Sequence, residues 1–248
     1  GGGTRPRCRA YDPLTWGADA IYDIVGGKLK FRSYFKLPAP QLEQENCVAH
    51  NGSIVPLPGR DILAQAWYQG GLSIIDFTDS ARPVEIAYFD RGPIDAEELV
   101  IGGYWSTYWY NGRIYGTEIV RGLDVFALTP SQFLSASEIA AAARAEDGGV
   151  FNPQQQFPVQ WPADPVVARA YMDQLERDGD LPEPLASRLA AALERSEAQL
   201  QDGGDGAGLA AALETLAATL INNRGDGLTG NKQAALSQTL REIAARLH

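Results

Sequence analysis

The sequence predicts a multidomain β plus α fold, in which a strand-rich part precedes a helical part. Residues 1–129 hold nine of the ten tyrosines and four of the five tryptophans, with many glycines and β-branched residues, a composition that favours strands and turns. Residues 164–248 are rich in Ala, Leu, Glu and Arg, which favour helices. A strand-like segment that recurs at a spacing near 50 residues in the first part is the third observation.

The recurring segment predicts the architecture of the first part. Its three copies are Asp19–Ile24, Leu72–Phe77 and Leu123–Leu128, which begin 53 and then 51 residues apart. A period of this length with several short strands per unit is typical of β-propeller blades. We therefore expect a partial β-propeller of about three blade-like repeats, which upstream blades or strands of another chain would complete.

Turn signals divide each repeat into strands. Two runs, Ile62–Tyr68 and Leu72–Phe77, flank a Gly-Gly turn. Asn111 and Gly112 both tolerate positive φ, so they predict a tight hairpin before the strand Arg113–Ile119. The pattern predicts consecutive antiparallel strands in each unit.

One repeat carries a family resemblance. The stretch GGLSIIDFTDSARPVEIAYFD resembles an LVIVD repeat at Leu72, Ile74, Ile75, Asp76, Pro83 and Ile86. Two partial copies match at Ile21, Tyr22 and Asp23, and at Leu123, Val125 and Phe126, where Ala127 replaces the aspartate. The resemblance implies a β-propeller and, since many members are exported, a secreted or cell-surface location in bacteria. It brings no catalytic motif with it.

The second part predicts a small antiparallel helical bundle. Residues 130–163 read as a short helix and a Pro-rich linker, and residues 164–248 as four helical segments. Asp164 and Pro165 supply an N-cap and a first-turn proline. Leucines spaced three and four residues apart then give each segment one apolar face. The arrangement resembles the FIMAH-type helical domains appended to some extracellular bacterial proteins.

The net charge and the composition limit the classes of partner that the chain is expected to bind. The net charge is −10, and binding to nucleic acid or an anionic membrane needs a basic surface instead. No apolar stretch is long enough to span a bilayer. We expect a protein or carbohydrate ligand, with other chains possible as partners that complete the propeller.

Cys47 and His50 form the most reactive-looking pair in the sequence. A cysteine and a histidine three residues apart can supply a nucleophile and a base, or two metal ligands. The alternative is a structural histidine beside the turn at Asn51 and Gly52. Cys8 and Cys47 either form a disulfide, as an oxidising compartment would allow, or stay as two thiols.

Acidic and aromatic residues provide two further candidate sites. Asp76 and Asp79 lie in a DFTD turn, where carboxylates either bind calcium or cap the turn. The run YWSTYWY predicts that Trp105, Tyr108, Trp109 and Tyr110 either bind a ligand on a propeller face or pack between blades.

The leading functional prediction is a non-catalytic binding or scaffolding module. It rests on the repeats, the acidic charge and the lack of catalytic signatures, and it predicts no catalytic residue and no cofactor other than calcium. One alternative is an enzyme or metal-binding protein with a propeller-axis site that uses Cys47 and His50. Another is a structural subunit of a larger assembly.

Overall fold

The computed structural model describes residues 7–145, 159–203 and 206–247. Within them the chain forms nine strands in three antiparallel sheets, followed by five helices, which confirms the predicted mixed β plus α fold. The strands are β1 (Asp19–Val25), β2 (Lys28–Phe35), β3 (Gly52–Val55), β4 (Ile62–Ala66), β5 (Leu72–Asp76), β6 (Val84–Phe89), β7 (Tyr104–Tyr110), β8 (Arg113–Glu118) and β9 (Gly122–Phe126). The helices are α1 (Ala136–Ala142), α2 (Pro165–Arg177), α3 (Glu183–Asp202), α4 (Ala207–Asn222) and α5 (Gly227–Arg246).

The described chain divides into two compact units. The first consists of residues 7–56 and 60–128, and the second of residues 57–59 together with the residues from 129 onward. All nine strands belong to the first unit and all five helices to the second.

The three sheets repeat one another. Their strand orders are β1-β2, β3-β4-β5-β6 and β7-β8-β9, and the recurring sequence segment forms β1, β5 and β9. Leu63 pairs with Ile75 in the second sheet, and the residues 51 positions later, Ile114 and Phe126, pair in the third. The hairpins β4-β5 and β8-β9 therefore share one register.

A β-bulge recurs as well. The pairing of β1 with β2 shifts between Ile21 and Tyr22, and the pairing of β5 with β6 shifts between Ile74 and Ile75, 53 residues later. A bulge bends its strand and increases the local twist. The first two sheets therefore share the position of this register shift. These sheets do not close a ring among the described residues, so the propeller itself stays a prediction.

Residues with positive φ mark two of the strand ends in the first unit. The predicted turn at Asn111 and Gly112 is present, with φ values of 47° and 73° that suit a two-residue hairpin. The strand predicted to reach Tyr68 ends at Ala66 instead, because Tyr68 has a φ of 54° that no strand residue adopts.

The disulfide between Cys8 and Cys47 lies at the centre of one apolar core. Buried around it are Phe35, Leu37, Trp67 and Ile75. The Phe35 and Trp67 rings lie 6.0 Å apart, and the Trp67 side chain is fully buried. This core links the segment before β1 to the first and second sheets.

The helical unit is held by leucine packing and by one buried ion pair. Helix α5 packs against α2 and α4, and α3 packs against α2. Glu138, which is fully buried, accepts two hydrogen bonds of 2.9 Å from Arg177 and completes a capping box with Ser135. Asp164 caps α2, and Pro165 occupies its first turn, as predicted.

Candidate functional site

Three aromatic rings from different parts of the first unit meet at one place. His50 lies just before β3, Tyr68 just after β4, and Trp105 near the start of β7. Tyr68 exchanges two backbone hydrogen bonds with Tyr104, of 3.1 and 2.9 Å, which join the second sheet to the third. Because β7 also packs against β3 and β4, Trp105 is brought beside His50. We call His50, Tyr68 and Trp105 the aromatic cluster.

The rings of the aromatic cluster are in contact. The His50 ring centroid lies 4.7 Å from that of Tyr68 and 4.6 Å from that of Trp105. Tyr68 and Trp105 are 5.9 Å apart and nearly perpendicular, a favourable edge-to-face geometry. Trp105 is 51% exposed whereas Tyr68 is 4% exposed, so a buried ring supports an exposed one.

The His50 imidazole has a defined tautomer. Its Nδ1 lies 2.5 Å from the Trp105 carbonyl oxygen, which can only accept a hydrogen bond, so Nδ1 carries the proton. In the neutral ring Nε2 is then an acceptor. His50 is half-buried, and no described residue is hydrogen-bonded to Nε2, which leaves this acceptor for a ligand.

Tyr68 holds a backbone conformation that costs free energy. A φ of 54° is unfavourable for a bulky residue by about 1–2 kcal/mol. Gly103 packs so closely that a Cβ there would lie 1.9 Å from the Tyr68 carbonyl carbon. The strained backbone of Tyr68 is therefore held by the neighbouring backbone at Gly103, and its buried ring lies against Trp105.

A buried amide network fixes the loops that precede β3 and β7. Asn46 is fully buried and Gln69 is 3% exposed. Gln69 Nε2 donates to Asn46 Oδ1 at 2.5 Å and to the Val100 carbonyl at 2.7 Å. Gln69 Oε1 accepts from the Ile94 backbone N–H at 2.6 Å. Because Gln69 directly follows Tyr68, this network also holds the base of the aromatic cluster.

Cys47 does not act with His50, which corrects the predicted nucleophile or metal pair. The structure joins Cys47 to Cys8, and the Cys47 side chain is fully buried. A disulfide sulfur offers no thiolate for attack or for metal binding. Of the two open fates for Cys8 and Cys47, the structure therefore has the disulfide.

The four aromatic residues of β7 that the sequence marked as candidates occupy different environments. Trp105 belongs to the aromatic cluster, whereas Trp109 is 6% exposed and packs inside the unit. Tyr108 is half-buried and lies opposite Tyr115 in the sheet, and Tyr110 is 51% exposed with its ring 6.4 Å from that of Tyr115. Exposed rings and packed rings are therefore both present on this strand.

The two aspartates predicted as calcium ligands are both engaged by arginines. Burial by itself raises the pKa of Asp76, but the Arg60 guanidinium at 2.6 Å and the bonds from Thr78 hold that pKa below its usual value. Asp79 accepts from Arg82 at 2.7 Å, which lowers the pKa of its carboxyl group. Among the described residues no group of three His, Cys, Asp or Glu side chains could hold a metal ion.

Sequence reasoning missed Tyr68 as a member of the site. The residue was placed in a strand, where its ring would be an ordinary packing group. Nothing in the residue type signals positive φ, since tyrosine disfavours it. The following Gly70 and Gly71 mark a turn but do not show where the strand ends.

No helix in the described ranges is long and apolar enough to cross a membrane. Comparison with protein-family models, with curated proteins and with solved structures finds no match to this chain.

Proposed function

We propose that the first unit is a non-catalytic binding module that takes its ligand at the aromatic cluster. The observation that carries the proposal is the exposed Trp105 ring, held in place by a buried tyrosine and a hydrogen-bonded histidine. Aromatic rings with a fixed position give a ligand a large contact area at little cost in conformational entropy.

The proposal includes a β-propeller of LVIVD-like repeats as the scaffold. The shared register of β4-β5 and β8-β9 supports it, and so does the bulge that recurs 53 residues later. A propeller arranges its blades side by side around a central channel, so residues of neighbouring blades lie close together. Consistent with this, the aromatic cluster takes residues from the second and third sheets.

The proposed setting is the bacterial cell surface or the secreted fraction, with the helical unit as an appended FIMAH-like domain. The Cys8–Cys47 disulfide supports this setting, because such bonds persist in oxidising compartments. The net charge of −10 supports a neutral or basic partner rather than a nucleic acid.

The indole N–H resonances of the five tryptophans provide the test. The ¹⁵N-labelled chain is titrated separately with neutral oligosaccharides, sugar acids, short peptides, nucleotides and divalent cations. We expect one class to shift the Trp105 indole signal saturably while the signal of the fully buried Trp67 stays in place. Trp105→Phe identifies the signal. No saturable shift of Trp105 with any class would contradict the proposal.

A second candidate function, a structural subunit of a larger assembly, is favoured by exposed apolar side chains. Ile24 and Leu29 in the first sheet are 78% and 70% exposed, and Leu123 in β9 is 61% exposed. Exposed apolar surface of this kind marks contact sites. Among the described strands, β1 and β9 each pair on one side only. Light scattering decides: a concentration-dependent oligomer that Ile24→Lys abolishes supports this candidate, and a monomer at every concentration opposes it.

A further inference from the structure

We propose that the ligand of the aromatic cluster is a neutral carbohydrate, with one sugar ring stacked on Trp105 and one hydroxyl group donating to His50 Nε2. This inference rests on the proposed function and names the ligand class for the same site. The ligand class follows from the tautomer of His50.

His50 presents an acceptor and no donor to the ligand. Its only ring proton is used at Nδ1, where it bonds to the Trp105 carbonyl. A ligand that covers Nε2 must therefore offer an N–H or O–H group, because a buried acceptor without a partner costs free energy. Purely apolar ligands fail this requirement.

Anions fail it as well. At the neutral imidazole a phosphate or carboxylate oxygen would face the Nε2 lone pair, and the described side chains that stack on His50 or donate to its carbonyl are the uncharged Tyr68, Trp105 and Gln65. The chain carries a net charge of −10, which repels anions over a longer range. A metal ion would need further ligands, and the described residues provide no such group.

Trp105 supplies an apolar surface for the ligand beside the His50 acceptor. Trp105 is 51% exposed, so part of the indole can be reached by the C–H groups on one side of a sugar ring. The indole is supported from below by Tyr68, which the strained backbone and Gly103 keep in place. A flat apolar face beside a single acceptor matches a molecule with an apolar C–H face and an edge of hydroxyl donors. A sugar is such a molecule.

The two halves of the imidazole can be separated by substitution. In His50→Asn the side-chain amide N–H occupies the place of Nδ1 and keeps the bond to the Trp105 carbonyl, but the acceptor at Nε2 is gone. In His50→Gln the amide group reaches the place of Nε2 and keeps an acceptor there, but the donor at Nδ1 is gone. Binding is expected to follow the acceptor, and thermal stability is expected to follow the donor.

The experiment measures binding of cellohexaose, laminarihexaose, mannohexaose, xylohexaose and chitohexaose by calorimetry and by the Trp105 indole shift. We expect at least one to bind saturably. Trp105→Ala should weaken its binding at least tenfold, His50→Asn about five- to tenfold, and His50→Gln by less than about threefold. Tyr110→Ala is the matched control, since Tyr110 lies on the same strand with the same 51% exposure, and it should change binding less than twofold.

Three results would overturn the inference. If another compound class shifts Trp105 and no neutral sugar does, the carbohydrate assignment is wrong while the binding site stands. If sugars bind equally well to the Trp105→Ala variant, they bind elsewhere on the chain. If nothing shifts Trp105, both the inference and the proposed function fail.

Discussion

Reduction of the Cys8–Cys47 disulfide is expected to destabilise the first unit strongly. The bond joins residues 39 positions apart, and closing a loop of that length restricts the unfolded chain by an entropy equivalent to about 4 kcal/mol at room temperature. Reduced wild-type protein is the cleanest perturbation, because it keeps both sulfur atoms in the core. The sulfur atoms lie among Phe35, Trp67 and Ile75, so reduction itself leaves no cavity.

Urea unfolding with and without a reductant measures the effect. Four of the five tryptophans lie in the first unit, with Trp67 beside the disulfide, so tryptophan fluorescence follows mainly that unit, while the ellipticity at 222 nm follows the five helices of the second. With a denaturant slope of about 2 kcal/mol per molar urea, the fluorescence midpoint should fall by about 2 M.

A double variant provides the control for this measurement. Cys8→Ala combined with Cys47→Ala should unfold near the reduced midpoint, and the reductant should not move it further. A fall of less than about 0.5 M on reduction of the wild type would refute the reasoning, because it would mean that the reduced and oxidised unfolded chains are equally restricted.

Three other substitutions test the fold and its electrostatics. Arg177→Met should lower the stability of the helical unit by about 3 kcal/mol, because it removes the cation that donates two hydrogen bonds to the buried Glu138 carboxylate, and Glu138→Gln in the same chain should restore part of the loss in urea unfolding. Burial raises the pKa of Asp19 to about 7, above its value of 3.8 in the unfolded chain. The contribution of Asp19 to the free energy of unfolding is therefore full below pH 3.8 and is lost as the pH rises through 7. Asp19→Asn should therefore stabilise the first unit at pH 8, by up to about 4 kcal/mol, and leave it unchanged at pH 3, as thermal unfolding at both pH values would show. Gly103→Ala should lower the free energy of unfolding by at least about 3 kcal/mol more than Gly122→Ala. Both glycines have positive φ, but a Cβ at Gly122 meets no atom within 4 Å. Equal urea unfolding midpoints for the two variants would contradict the close backbone approach at Gly103.

The repeat and the helices were visible in the sequence because each depends on local pattern. The recurring segment is rich in apolar residues and ends near a turn, and it forms β1, β5 and β9. Leucine spacings of three and four residues predicted the helices, since such residues share one face of a helix. The closing of a propeller ring is not a local property, and three sheets do not decide it.

The sequence indicated two of the three residues of the aromatic cluster. His50 and Trp105 attracted interest as a histidine near a cysteine and as a tryptophan in an aromatic run. Their contact depends on a bridge between the second and third sheets, which involves residues 36 positions apart in Tyr68 and Tyr104. No sequence spacing carries that pairing. The sequence also could not show whether Cys47 acts with His50 or bonds to Cys8, because that depends on which side chain meets Cys47 in the folded chain.

The sequence by itself determined that strands precede helices, the turn at Asn111 and Gly112, the recurrence of one strand segment and the acidic charge. All of these follow from residue properties within a few positions of the chain. Only the tertiary structure decided that Cys47 bonds to Cys8, that His50 lies against Trp105, and that Nε2 is left as an open acceptor. Those outcomes depend on distances between residues far apart in sequence, which are set when separate sheets pack together.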